Sequence, residues 1–598
     1  MSPSPKPHPR TRDGDAFLGV ERSVRGRRWV PRLIAGEQNL ALAIAQRTGM
    51  SDLVSRILVG RGATLADAET FLTPRLRDLM PDPATMTDCK AAAERIASAV
   101  RKKQRVAIFG DYDVDGASSS ALVARVLRGL GCDTEIYIPD RITEGYGPNV
   151  PAMRALCERG AELIVTVDCG TMSFDAIDEA RRTGIDTVVI DHHQTGEELP
   201  EAVALVNPNR QDDLSELGYL CATGVAFMVM VALRRELGPT KFPDLFGLLD
   251  LVALATVCDM VPLKSLNRAL VVQGLAIMRR KNNVGLDALA RVSRVSRALD
   301  TGHLGFAIGP RINAGGRVGD ASLGAKLLTE TDPASAERIA GKLETYNRER
   351  QTIETQVLED AEIEVRAEMN GARPPSAIIA ANDGWHPGVV GLVASRLKER
   401  YDRPAFAIGF DGSGRGSGSG RSVPSLDIGA LVRRATGEGL LVKGGGHAMA
   451  AGLTIERERL GAFRRFVEDE ADRFVATDSV QELEVDGAVA TSGATVDLIE
   501  EIERAGPYGI GHPKPLVVLP EQTIISARRV GTNHISVRLR GSDGVGLKAI
   551  AFRAADTDLG QFLQSRIGER AHVAGTLDID DYRGGRNANL RIEDAAES

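Results

Sequence analysis

Short apolar runs alternate with helix-like segments between residues 101 and 265 of this chain. Val106–Gly110, Leu163–Val167 and Thr187–Ile190 each have the length and apolar character of a buried strand. Leu251–Cys258 has the same character, so we predict a fourth strand there. Strands that alternate with helices indicate an α/β fold built on a parallel sheet.

Helices are predicted on both sides of this sheet region. Residues 36–100 contain an amphipathic stretch after the cap-like Thr64, and residues 266–325 are mostly helical in pattern. Residues 333–370 form a charged run with apolar positions at helical spacing, which predicts one long helix. Its place between two lobes suits a spacer, and the alternative is a surface helix without a functional role.

The C-terminal half predicts a second α/β lobe followed by a barrel. The lobe begins with the strand Ser376–Ala381 and continues with the helix Val393–Tyr401. Short strands and turns over residues 480–598 predict a small β-barrel. Within it, His534–Arg540 alternates apolar and polar residues, and Tyr582–Arg586 is typical of a hairpin tip.

A chain of 598 residues is too long for a single hydrophobic core, so several domains are expected. The start of the chain is rich in proline and arginine and is predicted to be a flexible arm. The arm, a catalytic lobe, a connecting helix, a second lobe and the barrel are expected at residues 1–35, 36–325, 326–372, 373–475 and 476–598.

Composition narrows the class of protein without naming a function. The 43% hydrophobic fraction is ordinary for a soluble globular protein. A net charge of −7 does not exclude a nucleic-acid enzyme, because the local field in a cleft matters more than the sum. Six cysteines without CxxC pairing favour reduced thiols, and no leader-like or membrane-spanning apolar run is present. We therefore expect a cytoplasmic protein with no membrane association.

Each of the four apolar runs leads into an acidic residue. They are followed in turn by Asp111, Asp113 and Asp115 of the hexapeptide DYDVDG, by Asp168, by Asp191-His192-His193 and by Asp259. Open α/β sheets bind ligands at the carboxyl ends of their strands. Alternate residues of an extended segment point the same way, so the three aspartates of the hexapeptide are expected to converge. Like charges this close need protons or a cation, and Asp with His favours Mn²⁺ or Mg²⁺ over a thiol-rich zinc site.

Two other interpretations of the hexapeptide were weighed. It could be a solvated acidic turn, or a calcium loop of the EF-hand kind. The calcium loop is disfavoured because no glutamate stands at its twelfth position and because a strand precedes it. The paired histidines alone carry little weight, whereas four acidic segments at the ends of apolar runs carry much more.

In their order along the chain, the motifs DYDVDG, VDCG, DHH and TVCDMVPL resemble those of the DHH phosphoesterase superfamily. Gly384–Gly391 and Gly444–His447 resemble the DHH-associated domain, DHHA1, that accompanies it. Gly309–Arg317 resembles the RecJ subgroup, the single-strand-specific exonucleases, and this likeness extends from about residue 70 to the end. It implies a DHH domain for the catalytic lobe, a DHHA1 domain for the second lobe and an OB-like fold for the barrel.

The resemblance implies a 5′→3′ exonuclease that hydrolyses single-stranded DNA in repair and recombination. Two Mn²⁺ or Mg²⁺ ions about 3.5–4 Å apart are expected, with Asp168 as the bridge. The implied metal ligands are Asp111, Asp113, Asp115, Asp168, His192 and Asp259, and His193 completes the catalytic set by orienting its neighbours or polarising the phosphate.

Substrate contacts are implied by the same resemblance. Arg141 and either Arg311 or Arg317 are expected at the terminal 5′ phosphate, because a planar guanidinium suits phosphate. The run Gly412–Gly420, taken alone, is more often a hairpin than a phosphate loop. The further residues expected to bind substrate are Trp385, His386, Gly388, Arg396, Ser419, Arg421, Ser422, Gly445, Gly446 and His447.

Single-stranded DNA is the expected partner of a monomeric enzyme, with a single-strand-binding protein and a helicase as candidate protein partners. No GxxxxGK[ST] loop is present, so an ATP-driven motor is not expected. One alternative is a DHH phosphoesterase for short oligonucleotides or nucleotide second messengers, and another is a non-catalytic scaffold. Gly315 and His512 depart from the residues usual in the family, alanine and asparagine.

Overall fold

A computed structural model describes residues 15–141, 143–370, 374–475, 481–580 and 585–598. The chain forms two compact units. The larger unit comprises residues 80–261 and 269–478, and the smaller comprises residues 1–79, 262–268 and 479–598. Most of the predicted hairpin tip at Tyr582–Arg586 lies outside the described residues.

The beginning of the described chain is ordered, which corrects the predicted flexible arm for residues 15–35. β1 (Arg28–Pro31) pairs in parallel with Glu482–Val485. Trp29 is fully buried, and Arg32 forms an ion pair with the buried Asp486. Burial of an apolar strand and pairing of its flanking arginines therefore outweigh the polar composition. Four helices follow: α1 (Glu37–Thr48), α2 (Asp52–Gly60), α3 (Ala68–Leu72) and α4 (Leu76–Leu79).

The first lobe of the larger unit contains a five-stranded parallel sheet, as predicted. Its strands are β2 (Val106–Gly110), β3 (Thr134–Tyr137), β4 (Leu163–Val167), β5 (Asp186–Ile190) and β6 (Ala204–Val206). They are ordered β3-β2-β4-β5-β6 across the sheet. Its helices are α5 (Cys89–Lys102), α6 (Val114–Gly129), α7 (Val150–Glu158), α8 (Phe174–Arg182) and α9 (Ala222–Leu237). β3 lies on one side of β2, whereas β4 and the later strands lie on the other side. The boundary between β2 and β4 is therefore the topological switch point, where sheets of this kind bind ligands.

A helical region follows, and it begins with a correction. The predicted fourth strand at Leu251–Cys258 is instead part of α10 (Leu249–Cys258). All but its last two residues are buried, so a helix that is apolar all round is stable there. The remaining elements are α11 (Ser265–Met278), α12 (Val284–Val292), α13 (Thr301–His303), a π-helical turn (Leu304–Ile308), α14 (Gly309–Val318) and α15 (Leu323–Thr329). The predicted connecting helix is α16 (Pro333–Met369), which Asp332 caps.

The second lobe is a five-stranded mixed sheet packed with three helices. Its elements are β7 (Ile378–Asp383), α17 (Val390–Tyr401), β8 (Ala405–Phe410), β9 (Arg415–Arg421), α18 (Ile428–Gly437), β10 (Lys443–His447), β11 (Ala450–Glu456) and α19 (Leu460–Val475). The strand order is β10-β11-β9-β8-β7. Gly412–Gly420 therefore forms the turn and second strand of an antiparallel hairpin.

The C-terminal part closes into a β-barrel, as predicted. Its elements are β12 (Glu482–Val485), β13 (Gly487–Ala488), α20 (Val496–Arg504), β14 (Val517–Val530), β15 (His534–Arg540), β16 (Gly546–Ala551), α21 (Asp558–Ser565), β17 (Arg570–Asp580) and β18 (Asn587–Glu597). The order β14-β15-β16-β18-β17 is closed by pairing of β14 with β17. Ile535, Val537 and Leu539 of β15 are buried, which confirms the predicted alternation. Among the described residues, none of the helices has the length and apolarity needed to cross a membrane.

Candidate metal centre and phosphate-binding groups

The acidic residues gather at the switch point of the first sheet. Asp111 follows β2 and Asp168 follows β4, and these two strands are neighbours. Asp168 has a positive φ of 60°, a conformation that non-glycine residues seldom adopt. Such backbone conformations concentrate at functional sites, where the surrounding structure holds them in place. Asp168 is nearly fully buried there.

The hexapeptide reaches the same place by a route different from the predicted one. It is not extended: Asp113 caps α6, and its Oδ1 accepts hydrogen bonds from the backbone amides of Asp115 and Gly116 at 2.9 and 3.0 Å. Asp115 therefore lies in the first helical turn. Gly116 packs so tightly that a Cβ there would lie 2.3 Å from the carbonyl oxygen of Asp111. The helix start, rather than strand alternation, distributes the three carboxylates.

The ligand atoms form three overlapping groups, each within 4.8 Å. The groups are Asp111, Asp113 and Asp168; Asp115, His192 and Asp259; and Asp168, His192 and His193. His192 Nε2 lies 3.4 Å from Asp168, 3.7 Å from Asp259 and 3.8 Å from Asp115. Asp168 and His192 each belong to two groups, so all seven residues expected to be catalytic form one continuous cluster.

Asp115 is fixed by the N-terminus of α9. Its oxygens accept hydrogen bonds from the backbone amides of Ala222 at 2.6 Å and Thr223 at 2.8 Å, and from the Thr223 hydroxyl. Backbone amides at a helix N-terminus stabilise a carboxylate in its ionised form. These hydrogen bonds fix the orientation of the Asp115 carboxylate within the cluster.

The electrostatics of the cluster oppose full ionisation. Burial is the largest cause that raises the pKa of Asp111, and the charge of the neighbouring Asp113 is the next; together they raise it to about 7. Burial, followed by Asp115 and Asp113, raises the pKa of Asp259 to about 9. Burial and the same neighbours hold the pKa of Asp168 well above its usual range. These carboxylates therefore need either protons or a compensating cation at neutral pH.

A hard divalent cation fits this donor set. Asp259 Oδ2 is buried and has no hydrogen-bond partner within the described part of the chain, which leaves it free to coordinate an ion. The donors are carboxylate oxygens and imidazole nitrogens, with no thiolate among the three groups. Oxygen-rich sets with imidazole suit Mg²⁺ and Mn²⁺.

A second group of side chains beside the cluster is cationic. Burial is the largest cause that lowers the pKa of Arg421, and the positive charges of the nearby Arg317 and Arg141 lower it further. Arg421 Nη1 donates to Ser419 Oγ at 2.8 Å, and both side chains lie within 3.1 Å of where a Cβ of Gly391 would be. Gly391 is in the first turn of α17, whose N-terminal amides favour an anion. Three arginines, a hydroxyl and a helix N-terminus therefore lie close together, drawn from both lobes, and they form a cationic group whose chemistry suits an anion.

Three of the other predicted contacts have different surroundings. Arg311 is an ion-pair partner of Glu344 at 2.7 Å, so Arg317 rather than Arg311 joins the cationic group. Arg396 is paired with Glu354 at 3.4 Å and Glu399 at 3.2 Å. Ser422 is buried and donates to the carbonyl oxygen of Leu426, so its hydroxyl is engaged inside the second lobe.

The loop before α17 contacts the first lobe through the backbone of Gly388. Arg317 Nη1 donates to the carbonyl oxygen of Gly388 at 2.9 Å, and a Cβ on Gly388 would lie 2.2 Å from the carbonyl oxygen of Arg317. His386 Nδ1 accepts from the Gly388 amide. Trp385 is buried in the core of the second lobe and so shapes the loop.

The glycine-rich strand β10 presents His447 to the metal cluster. The rings of His447 and His193 are stacked with centroids 6.5 Å apart. Gly446 has a φ of 150° and its carbonyl oxygen accepts from Arg433, whereas Gly445 faces open space. Burial, followed by His193 and His192, lowers the pKa of His447, so it faces the cluster as a neutral imidazole.

Sequence reasoning missed the residues that hold the histidines. Asp191 Oδ1 lies 2.8 Å from His193 Nδ1, and Asp191 Oδ2 accepts from the Thr171 hydroxyl. The carbonyl oxygens of His193 and His192 accept from Asn207 and Asn209, respectively. Both asparagines follow β6, so the rule of polar residues after an apolar strand would have found them. The Tyr146 hydroxyl lies 3.3 Å from His193 Nε2.

Comparison with known proteins adds three matched regions. Residues 105–256 match the DHH family N-terminal domain, residues 375–473 match the DHHA1 domain, and residues 485–594 match the RecJ OB domain. The regions follow one another in the order of the two lobes and the barrel.

Relatives match over most of the chain. The single-stranded-DNA-specific exonuclease RecJ of Dickeya dadantii is 38% identical over 84% of this chain and 89% of its own. A crystal structure of Thermus thermophilus RecJ with Mn²⁺ superposes with a TM-score of 0.78 at 29% identity, covering 94% of this chain and 78% of that one. A crystal structure of the same protein with Mg²⁺ superposes with a TM-score of 0.73 at 29% identity, covering 94% of this chain and 77% of that one. The chain therefore belongs to the RecJ family of single-stranded-DNA-specific exonucleases.

Proposed function

We propose that this protein hydrolyses single-stranded DNA from the 5′ end, using two divalent metal ions. The observation that carries the proposal is the continuous cluster of the seven expected catalytic residues beside a cationic group from both lobes. Asp111, Asp113 and Asp168 would hold one ion. Asp115, His192 and Asp259 would hold the other, with Asp168 close to both. Bound Mn²⁺ or Mg²⁺ would supply activation of water and stabilisation of charge on the phosphate.

The chain's own residues orient the phosphodiester. Burial lowers the pKa of His193, but hydrogen bonding to Asp191 outweighs burial and raises the pKa to about 9. This shift favours a protonated ring that can donate to the phosphate. A cation beside the metal cluster favours the negative charge that develops on the phosphate during attack. Asp191 in turn fixes the ring by its bond to Nδ1.

The cationic group would bind the terminal 5′ phosphate. Arg141, Arg317 and Arg421 with Ser419 offer several donors to one dianion, and guanidinium groups match phosphate oxygens in pairs. A strand anchored there has its first phosphodiester near the metal cluster, which would give 5′→3′ polarity. His447 approaches the cluster from the second lobe, so the strand would lie between two protein surfaces.

We further propose that the protein acts as a cytoplasmic monomer in DNA repair and recombination. Exonuclease action from a 5′ end requires an exposed single strand, which a helicase would generate and a single-strand-binding protein would cover. Family membership supports these roles, and a pull-down with single-strand-binding protein, together with sedimentation of the purified protein, tests them.

The test is digestion of single strands labelled at the 5′ or 3′ end, with and without Mn²⁺, and with blunt duplex as control. We expect mononucleotides from the 5′ end, no digestion without metal, and an intact duplex. Asp168→Asn should reduce turnover by several orders of magnitude, whereas Asp178→Asn, at a half-buried residue paired with Arg181, should not. Equal rates on duplex, or near-normal turnover by Asp168→Asn, would overturn the proposal.

The same assay distinguishes an exonuclease for long single strands from the alternative, a phosphoesterase for short substrates. An enzyme for short oligonucleotides or nucleotide second messengers would cleave dinucleotides or cyclic dinucleotides faster than long strands. We expect the reverse order, because the RecJ OB match adds a barrel of the kind that binds longer strands.

A further inference from the structure

Phe306 is an unusually exposed aromatic residue near the metal cluster. Its side chain is 89% exposed, whereas Leu304 and Ile308 in the same π-helical turn are buried. A π-helical turn is an uncommon conformation that recurs at functional sites. The turn thus anchors itself with its apolar neighbours while it presents a phenyl ring to solvent.

The π-helical turn is attached to the element that carries Asp259. Cys258, directly before Asp259, contacts the carbonyl oxygen of Leu304 through Sγ at 3.4 Å. A Cβ on Gly309 would lie 2.6 Å from Cys258 Sγ, and one on Gly305 would lie 3.8 Å from Val257. The turn that carries Phe306 therefore packs directly against Cys258, the residue before the candidate metal ligand Asp259.

Met260, on the other side of Asp259, is a second exposed apolar residue. It is 64% exposed and has a φ of 60°, which is strained for a long side chain. Its backbone amide donates to the carbonyl oxygen of Val257. Two independent features thus expose apolar side chains: a π-helical turn that packs against Cys258, and the strained Met260 directly after Asp259.

The helix that follows the turn leads to the phosphate-binding group. α14 begins next to Cys258, and near its end Gly316 packs against the ring of Tyr112 in the hexapeptide. Phe306 and Arg317 are separated by eleven helical residues, about 16 Å along the axis at 1.5 Å per residue. A strand whose 5′ phosphate binds Arg317 and crosses the metal cluster would therefore reach Phe306 within a few nucleotides.

We propose that Phe306 is a stacking platform for a nucleobase of the substrate strand downstream of the cleaved bond, with Met260 as its apolar neighbour. The inference rests on the proposed function. An aromatic face accepts any base, so the contact holds the strand in register without selecting sequence. Bases, rather than a protein segment, are the expected occupant because the turn that carries the ring packs against Cys258, the residue before Asp259.

Binding without hydrolysis tests this inference separately from catalysis. Full-length Phe306→Ala, Phe306→Leu and Phe306→Trp variants would be titrated with 5′-phosphorylated single strands in EDTA, alongside Ile363→Ala, a control at another exposed apolar residue, on α16. We expect Phe306→Ala and Phe306→Leu to weaken binding on the order of tenfold, and Phe306→Trp and the control to bind normally. A single abasic site scanned from the 5′ end should weaken wild-type binding at one position and leave Phe306→Ala unaffected there.

Each outcome decides between support and rejection. Normal binding by Phe306→Leu, or an abasic penalty that persists unchanged in Phe306→Ala, would overturn the stacking role. Quenching of the new indole of Phe306→Trp by an intact strand, measured in a Trp29→Phe, Trp385→Phe background and lost with the abasic strand, would support it. If the wild-type protein binds strands but digests none, the proposed function fails while the binding results still decide the role of Phe306.

Discussion

The arginines expected at the 5′ phosphate differ in what surrounds them. Arg317 and Arg421 lie close enough for the first to lower the pKa of the second, which makes their region favourable for an anion. We predict that Arg317→Gln and Arg421→Gln each reduce the preference for a 5′-phosphoryl over a 5′-hydroxyl strand by tenfold or more. The measurement is kcat/KM on the two strands.

Arg311→Gln is the matched control for this prediction. Its guanidinium is paired with Glu344, so the substitution removes an ion pair between α14 and the connecting helix α16 and leaves the cationic group unchanged. We expect lower stability with the phosphate preference retained. A loss of preference in Arg311→Gln equal to that in Arg317→Gln would contradict the assignment.

His512 makes the smaller unit sensitive to acid. Burial lowers the pKa of His512 to about 4. Its Nε2 forms a hydrogen bond with the carbonyl oxygen of Ala505. Because the folded-state pKa lies below the unfolded value of about 6.5, stability is complete above pH 6.5 and is lost as the pH falls toward 4. Between pH 7.5 and 5 we predict a loss of about 2 kcal/mol that His512→Asn does not show.

The measurement is urea unfolding in a Trp385→Phe background, where the buried Trp29 alone reports on the smaller unit. Wild-type and His512→Asn proteins would be compared at the two pH values. Parallel changes in both proteins would mean that other groups govern the acid response.

At the scale of residues, strand-end positions explain what the sequence could predict. Asp111, Asp168 and the histidines follow real strands, so their convergence follows from sheet geometry. Asp113 and Asp115 converge because a helix begins between them, and their spacing of two fits a strand equally well. Asp191 also follows a strand, but it supports the site through hydrogen bonds to His193 rather than as a member of the ligand groups, and its position alone did not predict that role.

At the scale of elements, β15 presents cations on one side of the barrel. Arg538 and Arg540 are exposed, and the apolar residues that alternate with them, Val537 and Leu539, are buried. We predict that Arg538→Gln/Arg540→Gln weakens binding of long single strands and lowers the salt slope by about 1.4, if each neutralises one phosphate. The measurement is a titration at several salt concentrations.

Arg529→Gln serves as the control because that side chain is bound to both oxygens of Asp556 on the same barrel. It should change neither affinity nor slope. Equal slopes for all three proteins would assign the barrel a structural role and remove it from the strand-binding surface.

The one element assigned to the wrong class shows the limit of periodicity. Leu251–Cys258 is apolar throughout, and a run of this length has the same hydrophobic pattern in a buried strand and in a buried helix. Packing against the helices α6, α9 and α11 decides the matter, and these contacts are not visible in the hydrophobic pattern of the run itself. The long α16 was predictable because its charged and apolar positions repeat at helical spacing over many turns.

At the scale of the whole molecule, the smaller unit joins both ends of the chain. Trp29 is fully buried and its indole Nε1 donates to Asp594 at 3.2 Å. We predict that Trp29→Ala lowers the free energy of unfolding of this unit by about 3–5 kcal/mol, and that Trp29→Phe costs about 1–2 kcal/mol. Chemical denaturation followed by circular dichroism would measure both, and unchanged stability of Trp29→Ala would contradict the packing.

The pairing of the N-terminal segment with the barrel has a consequence for synthesis. Arg32 and its partner Asp486 are 454 residues apart. A ribosome adding 5–20 residues per second needs roughly 20–90 s to make the second after the first. Throughout that interval the sheet of the first lobe can fold as it emerges. Trp29 and the helices after it cannot yet bury their apolar side chains, because the barrel residues that pack against them have not been synthesised. A message that terminates early therefore leaves an N-terminus with exposed apolar surface, a ready substrate for chaperones and proteases.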